Sequence, residues 1–149
     1  MKAAVLYEVG TPLAIEDLTL LAPKDGEVRV RYVASGVCHS DLHYIKGDRP
    51  YPKPVVLGHE GAGIIEEVGP GVSYAKPGDH VILSFVPACG RCTYCVAGRP
   101  NMCSVRYSLN GNLPGGGTRL RKGRQEIEHC ACMSSFAAYG VVPEGSLVK

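Results

Sequence analysis

Four cysteines in the middle of the sequence constrain its fold more than any other feature. Cys89, Cys92, Cys95 and Cys103 have the spacing C-x2-C-x2-C-x7-C. The first two gaps are short enough for neighbouring sulfurs to converge on one point, and structural zinc sites often use four thiolates in a closed tetrahedron. The spacing therefore predicts a structural-zinc lobe at about residues 86–105, which holds shape and does no chemistry.

Disulfide bonds are the first alternative for these cysteines. The sequence begins with Met1–Val5 and shows no apolar leader, so we expect a cytoplasmic protein, and disulfides rarely persist in that reducing compartment. The total of seven cysteines is odd, which also argues against a complete disulfide framework.

An iron–sulfur cluster is the second alternative, because bacterial ferredoxins also use tight C-x2-C-x2-C runs. In those runs the third gap is short and a proline follows the last cysteine. Here the third gap is seven residues and Ser104 follows Cys103. The pattern favours zinc.

The composition is that of an ordinary globular domain, and it excludes some classes of partner. A chain of 149 residues with 45% hydrophobic and 20% charged residues fits one domain with its own core. The net charge is only +2 and no block of Lys or Arg stands out, so we expect neither a nucleic-acid nor a membrane partner. No apolar run approaches the roughly 20 residues that span a bilayer.

The local patterns predict a mainly β domain of short strands joined by glycine and proline turns, with one small helix. Glu27–Val33 alternates charged with apolar residues, as a strand with one wet face does. Ser40 and Asp41 precede apolar residues and predict a capped helix that ends at Gly47. Further strand-like segments are 2–9, 13–18, 55–69, 80–83 and 133–142.

A glycine-rich stretch follows the cysteines, at residues 110–117, and we interpret it as an irregular loop. A phosphate-binding loop is the alternative. That alternative is disfavoured because the stretch lacks the Lys-Ser/Thr of a P-loop, and no G-x-G-x-x-G opens a helix in this sequence.

Cys38, His59 and Glu60 form a second set of residues whose chemistry suits zinc, since a catalytic zinc site has three protein ligands and one open position. One cysteine and one histidine far apart in sequence are a weak signal. Taken alone, they are better interpreted as a buried cysteine and a hydrogen-bonded histidine.

Cys130 and Cys132 lie two apart on a strand-like segment and would then face the same side. We interpret them as buried packing residues, with a replacement zinc ligand, at these positions or at His129, as the alternative.

Four linked motifs resemble those of zinc-containing alcohol dehydrogenases of the medium-chain dehydrogenase/reductase superfamily. They are Gly36–Asp41, Gly58–Val72, Gly78–Val81 and the four-cysteine lobe, in the order and spacing of that family. The resemblance covers essentially all 149 residues. It implies a GroES-like (chaperonin-10-like) fold, a partly open β-barrel from which the structural-zinc lobe is extruded.

The resemblance also implies a catalytic zinc site. Cys38 and His59 correspond to its ligands, and Glu60 to an adjacent carboxylate that can join the coordination. Asp41 corresponds to the acid that accepts the other ring N–H of His59, a contact that fixes tautomer and orientation.

Three further residues of the same region correspond to a proton path and a cofactor contact. Ser40 corresponds to the hydroxyl that takes the proton from the alcohol, and His43 to the group that passes it outward through the cofactor ribose. His39 occupies the position of a basic residue against the pyrophosphate of NAD(P).

Two parts of such an enzyme are missing from these residues, namely a third zinc ligand and a Rossmann domain for NAD(P). We therefore expect the domain 1–149 to be inactive alone. We expect the full enzyme to be a homo-oligomer that oxidises an alcohol to an aldehyde or ketone.

The alternative function is that of a stand-alone zinc-binding or protein-interaction module without redox activity. An iron–sulfur electron carrier is a third hypothesis.

Overall fold

The computed structural model of the protein describes residues 1–104, 113 and 115–149. Half of the predicted glycine-rich loop at 110–117, namely residues 110–112 and 114, therefore lies outside the described residues. The elements are, in order, β1 Lys2–Leu6, β2 Ala14–Asp17, β3 Thr19–Leu20, β4 Glu27–Ser35, α1 His39–Lys46, β5 Val55–Val56, β6 Gly61–Val68, β7 His80–Leu83, α2 Thr93–Val96, a 3-10 turn at Pro100–Met102, β8 Leu120–Lys122, β9 Gln125–His129, β10 Tyr139–Pro143, a 3-10 turn at Glu144–Ser146 and β11 Leu147–Val148.

The strands form two sheets, which confirms the prediction of a mainly β domain. One sheet has six strands in the order β2-β1-β5-β9-β8-β3, and the other has five in the order β10-β4-β6-β7-β11. Neighbours are antiparallel except β5 and β9, which are parallel. Backbone bonds from residues 136–138 to Lys2, Ala4 and Tyr32 join the two sheets. The result is a partly open barrel.

The long strand β4 shows how the alternating pattern builds the core. Val28 and Val30 are fully buried and pack in one cluster with Ile65, Val81 and Val142. Arg29 and Arg31 point away and pair with Glu67 and Glu66 of β6. The predicted wet and dry faces are therefore present.

Glu27, the first residue of β4, departs from that pattern because its side chain is buried. Arg119, also buried, donates from Nε to Oε2 at 2.8 Å and from Nη2 to Oε1 at 2.5 Å. The backbone N–H of Lys24 donates to the same carboxylate, and Arg119 Nη1 donates to the carbonyls of Gly116 and Thr118. The charges are thus fully surrounded by hydrogen-bond partners, which makes their burial tolerable.

The helix α1 lies where the sequence predicts it but begins differently. Its N-cap is Cys38 rather than Ser40, so the expectation that serine caps the helix is wrong. The strand β4 ends at Ser35, and two further residues lead to Cys38, whose extended backbone, with φ −100° and ψ 151°, suits the cap position. Gly47 ends the helix at φ 83°, as predicted, in a left-handed conformation that suits glycine.

The segment 130–134 is a tight turn and not the strand predicted for Cys130 to Met133. Ala131, Cys132 and Ser134 have φ values of 52°, 61° and 55°, which are incompatible with a strand. Both cysteines are buried, as predicted, but in different clusters. Cys130 packs with Leu57, whereas Cys132 packs with Val141.

Across 1–104, 113 and 115–149, no helix is long and apolar enough to cross a membrane.

The Glu27–Arg119 pair yields a prediction about stability. The variant Arg119→Ala leaves an unpaired buried carboxylate and should lower the free energy of unfolding by about 3–5 kcal/mol. Denaturant titration measures this. The matched control is Arg31→Ala, which breaks a half-exposed pair with Glu66 and should cost less than about 1 kcal/mol. Equal costs for the two variants would contradict a structural role of the buried pair.

His129 yields a second prediction, on acid stability. This side chain is fully buried; its Nε2 accepts from the N–H of Arg119, and its Nδ1 lies 3.3 Å from Ser134 Oγ. Burial, with the charge of Arg119 added, lowers its pKa from 6.5 to about 3. The unfolded chain therefore binds a proton more readily than the folded one. Stability contributed by neutral His129 is complete above pH 6.5 and is lost as the pH falls toward 3, by at most about 1.4 kcal/mol per pH unit.

The variant His129→Gln keeps an acceptor for the N–H of Arg119 but does not titrate. Its free energy of unfolding should fall less between pH 6.5 and pH 4 than that of the parent chain. Parallel curves for the two proteins would show that His129 does not contribute.

Candidate metal centres

The four cysteines of the predicted lobe converge in the structure. The sulfurs of Cys89, Cys92, Cys95 and Cys103 all lie within 4.8 Å of one another. Left-handed turns at Gly90 and Gly98, with φ values of 72° and 73°, reverse the chain between them. Short helical turns, α2 and Pro100–Met102, lie between the second and fourth cysteines. The lobe is therefore shaped around a point at which the four sulfurs meet.

Backbone N–H groups directed at these sulfurs show that the site suits thiolates. The N–H groups of Cys95 and Ser104 donate to Cys92 and lower the pKa of its thiol to about 5. Those of Arg91 and Cys92 lower the pKa of Cys89 in the same way. Desolvation and the neighbouring thiols raise the pKa of Cys95 to about 11. Four thiolates so close together repel one another unless a cation lies between them, so the donor set fits zinc.

The structure brings together a second set of possible ligands, from two separate parts of the chain. Atoms of Cys38, His59 and Glu60 also lie within 4.8 Å of one another. Cys38 precedes α1, whereas His59 and Glu60 lie between β5 and β6. The strands β4 and β6 are paired up to Ser35 and Gly61, and the N–H of Gly36 donates to the carbonyl of Glu60 at 2.8 Å. The register of these two strands therefore places the cysteine beside the histidine.

Asp41 orients both halves of this cluster. Its buried carboxylate accepts from His59 Nδ1 at 3.3 Å and from the N–H of Gly58 at 3.1 Å through Oδ1, and from the N–H of Cys38 at 3.2 Å through Oδ2. Because Nδ1 carries the proton in this contact, Nε2 of His59 keeps its lone pair, and it lies 3.9 Å from Glu60 Oε1. The imidazole is thus held in the tautomer that a metal ligand requires.

Two glycines allow close approach of neighbouring segments around this cluster. Gly58 has φ 92°, and a Cβ there would lie 2.7 Å from the backbone N of Phe136. A Cβ on Gly36 would lie 2.1 Å from Glu60 Oε2. A side chain at position 58 would push the segment before His59 away from residues 135–136, and one at position 36 would displace the side chain of Glu60.

The remaining predicted residues lie on α1, in two groups. The backbone N–H of Ser40 points at Cys38 Sγ, 3.5 Å away. His39 and His43 form a separate pair, in which His39 Nδ1 lies 3.2 Å from His43 Nε2. His43 Nδ1 lies 2.9 Å from Oδ2 of Asp48, a residue that the sequence did not single out.

Two other residues lie near His59, namely Phe85, which the sequence did not single out, and Cys130, which it interpreted as a packing residue with a replacement zinc ligand as the alternative. The half-exposed ring of Phe85 meets the imidazole edge-on at a centroid distance of 5.9 Å. Cys130 lies near Asp41 and His59, but it is not part of the group that contains Cys38. Burial raises the pKa of Cys130 to about 12, so its thiol is protonated at neutral pH, in keeping with a packing residue.

Comparisons with known proteins show which family this chain resembles. The family model described as "Alcohol dehydrogenase GroES-like domain" matches residues 24–149. An NDMA-dependent alcohol dehydrogenase of Amycolatopsis methanolica is 46% identical over 149 residues, which are 99% of this chain and 40% of that protein. An S-(hydroxymethyl)glutathione dehydrogenase of Candida maltosa is 43% identical over 150 residues, 99% of this chain and 39% of that protein.

Solved structures show the same similarity. A zinc-binding domain protein of the alcohol dehydrogenase type from Burkholderia ambifaria superposes with a TM-score of 0.91 at 41% identity, over 99% of this chain and 41% of that one. Benzyl alcohol dehydrogenase of Acinetobacter calcoaceticus gives 0.88 at 38% identity, over 99% and 40%. The predicted fold class is confirmed, and the chain spans about two-fifths of the length of the relatives it matches.

The contacts of Asp41 yield a third prediction. The variant Asp41→Ala leaves three N–H donors without their acceptor and should lower the free energy of unfolding by about 3 kcal/mol. Denaturant titration of the zinc-loaded protein measures this. The control Asp17→Ala removes an exposed carboxylate that pairs with Lys2 and should leave the stability unchanged within error. A neutral result for Asp41→Ala would contradict its orienting role.

Proposed function

The chain belongs to the alcohol dehydrogenase GroES-like domain family, and we propose that it is the catalytic domain of a zinc-dependent alcohol dehydrogenase. The observation that carries this proposal is the convergence of Cys38, His59 and Glu60 around one point, with Asp41 behind the histidine. The substrate class is an alcohol, oxidised to an aldehyde or ketone, with NAD(P)+ as the hydride acceptor.

In this proposal the hydride acceptor binds to a second domain. The relatives are about two and a half times as long as this chain, which leaves room for a Rossmann domain and for a third zinc ligand. Residues 1–149 then form the zinc-binding domain, with the structural lobe at about 86–105, and are inactive without the second domain.

A zinc ion at the cluster of Cys38, His59 and Glu60 would supply Lewis acidity, which makes the hydroxyl group of a substrate easier to deprotonate. Cys38 and the Nε2 atom of His59 would hold the ion, with Glu60 as the adjacent carboxylate. Asp41 keeps the His59 ring in one orientation and one tautomer. Phe85 covers one edge of the imidazole and supplies apolar surface beside it.

The helix α1 would carry the groups that move the proton and bind the cofactor. Ser40 follows Cys38 by two residues and would take the proton of the alcohol. His43, one turn further on, is partly exposed and would release the proton to solvent. His39 is exposed at the start of the helix, where a cationic side chain can meet a phosphate.

The four-cysteine lobe would bind a second zinc ion that has a purely structural role. The N–H donors around Cys92 and Cys89 favour thiolates, and four cysteines close the coordination to water and substrate.

Two cysteine variants test these roles against each other. In a polypeptide that joins this domain to its dinucleotide-binding domain, Cys38→Ser should lower alcohol oxidation by about a hundredfold or more, while the melting temperature stays near that of the parent. Cys95→Ser should instead lower the melting temperature and release one zinc per chain, because structural zinc stabilises the fold directly. Steady-state kinetics, thermal unfolding and elemental mass spectrometry measure the three quantities.

Each variant is the control for the other. Full activity of Cys38→Ser would refute the proposed catalytic site, and an unchanged melting temperature and zinc content of Cys95→Ser would refute the structural one. A polypeptide with both domains and two zinc ions that oxidises no alcohol would favour a zinc-binding module without redox activity.

A further inference from the structure

A hydrogen-bonded chain of three exposed side chains runs along α1, from its first residue to the turn that follows it. His39 Nδ1 lies 3.2 Å from His43 Nε2, and His43 Nδ1 lies 2.9 Å from Asp48 Oδ2. The two imidazole rings meet edge to face with their centroids 4.7 Å apart. The two ring nitrogens of His43 thus have different partners.

The carboxylate decides which nitrogen of His43 carries the proton when the ring is neutral. A carboxylate only accepts hydrogen bonds, so the proton of the neutral ring must lie on Nδ1. Nε2 is then the basic nitrogen, and its partner Nδ1 of His39 must be the donor. The tautomer of one histidine is set by the bond that its other nitrogen makes.

The backbone holds Asp48 in the position that makes this bond. Gly47 ends α1 in the left-handed conformation, and the N–H of Arg49 returns to the carbonyl of His43 at 3.4 Å. The loop after β1 packs on the same turn, because Gly10 donates to the carbonyl of Ile45 at 2.7 Å. A Cβ on Gly47 would lie 2.6 Å from Val9 Cγ1, so this contact requires a glycine. The carboxylate is therefore placed by local backbone structure as well as by its own hydrogen bond.

We propose that Asp48 is a positioning residue that fixes the tautomer and orientation of His43, so that Nε2 is the nitrogen that accepts the proton released during alcohol oxidation. This inference rests on the proposed function for the role of His43, but the tautomer itself does not depend on that function. In the proposed step the hydrogen bond from His39 to Nε2 breaks, Nε2 gains the proton that the alcohol loses, and Nδ1–H stays bonded to Asp48. The proton at Nε2 then leaves to solvent, and the bond from His39 forms again.

Long-range ¹H–¹⁵N NMR of the histidine-labelled 149-residue protein tests the tautomer directly, at a pH where the rings are neutral. The signals of His43 are assigned by their loss in His43→Gln. We expect the Nδ1–H form in the parent chain and in Asp48→Asn, which keeps an acceptor oxygen. We expect loss of that preference in Asp48→Ala. The matched control is Asp17→Ala, which removes an exposed carboxylate on β2 and should leave the His43 signals unchanged.

Kinetics of the two-domain polypeptide test the consequence. Asp48→Ala should lower kcat for alcohol oxidation by about three- to tenfold with little change in KM, which is less than the full loss of a general base. In the His43→Gln background the same substitution should cause no further loss, because the two residues act as a unit.

The outcomes separate this inference from the proposed function. An unchanged His43 tautomer in Asp48→Ala overturns the inference, as does an equal loss of kcat with and without His43. If the tautomer changes but His43→Gln retains full activity, the contact stands and the role of His43 in the proposed function is refuted.

Discussion

The buried carboxylate of Asp41 is the contact on which the candidate catalytic site depends. It accepts hydrogen bonds from Cys38, Gly58 and His59, and so ties the start of α1 to the segment between β5 and β6. A buried carboxylate is tolerable only when such donors surround it, and each donor in turn is fixed by the bond. One interaction therefore orients the histidine, caps the helix and holds together two distant parts of the chain.

A second buried carboxylate, that of Glu27, helps to fix the strands that lead to the site of Asp41. Glu27 begins β4, the strand that leads to Cys38, and its pair with Arg119 joins residues 92 positions apart. Arg119 also donates its backbone N–H to the buried His129, which precedes the turn containing Cys130. These neutral and charged polar groups are all satisfied by protein atoms, so they can specify one arrangement of the turn against the site.

Several features could be predicted from the sequence because they depend on nearby residues. The strand β4 follows from alternation, the end of α1 from Gly47, and the four-cysteine lobe from gaps of two and seven residues. The failures have equally local causes. Cys38 caps the helix because its backbone is extended and its side chain accepts from the N–H of Ser40, which the preference of serine for caps does not reveal. Spacing suggested a strand for Cys130 and Cys132, but the left-handed residues between 131 and 134 turn the chain instead.

The sequence by itself determined the mainly β fold class, the composition of the zinc lobe and the residue types available for a metal site. Tertiary structure decided which of those residues meet. The register of β4 against β6 sets Cys38 beside His59, and the turn after α1 sets Asp48 against His43. Periodicity and spacing report the local path of the backbone, whereas contacts between distant segments depend on strand register and on close approach at glycines such as Gly36 and Gly58. For that reason the sequence could name the candidate ligands, but their convergence could be seen only in the folded chain.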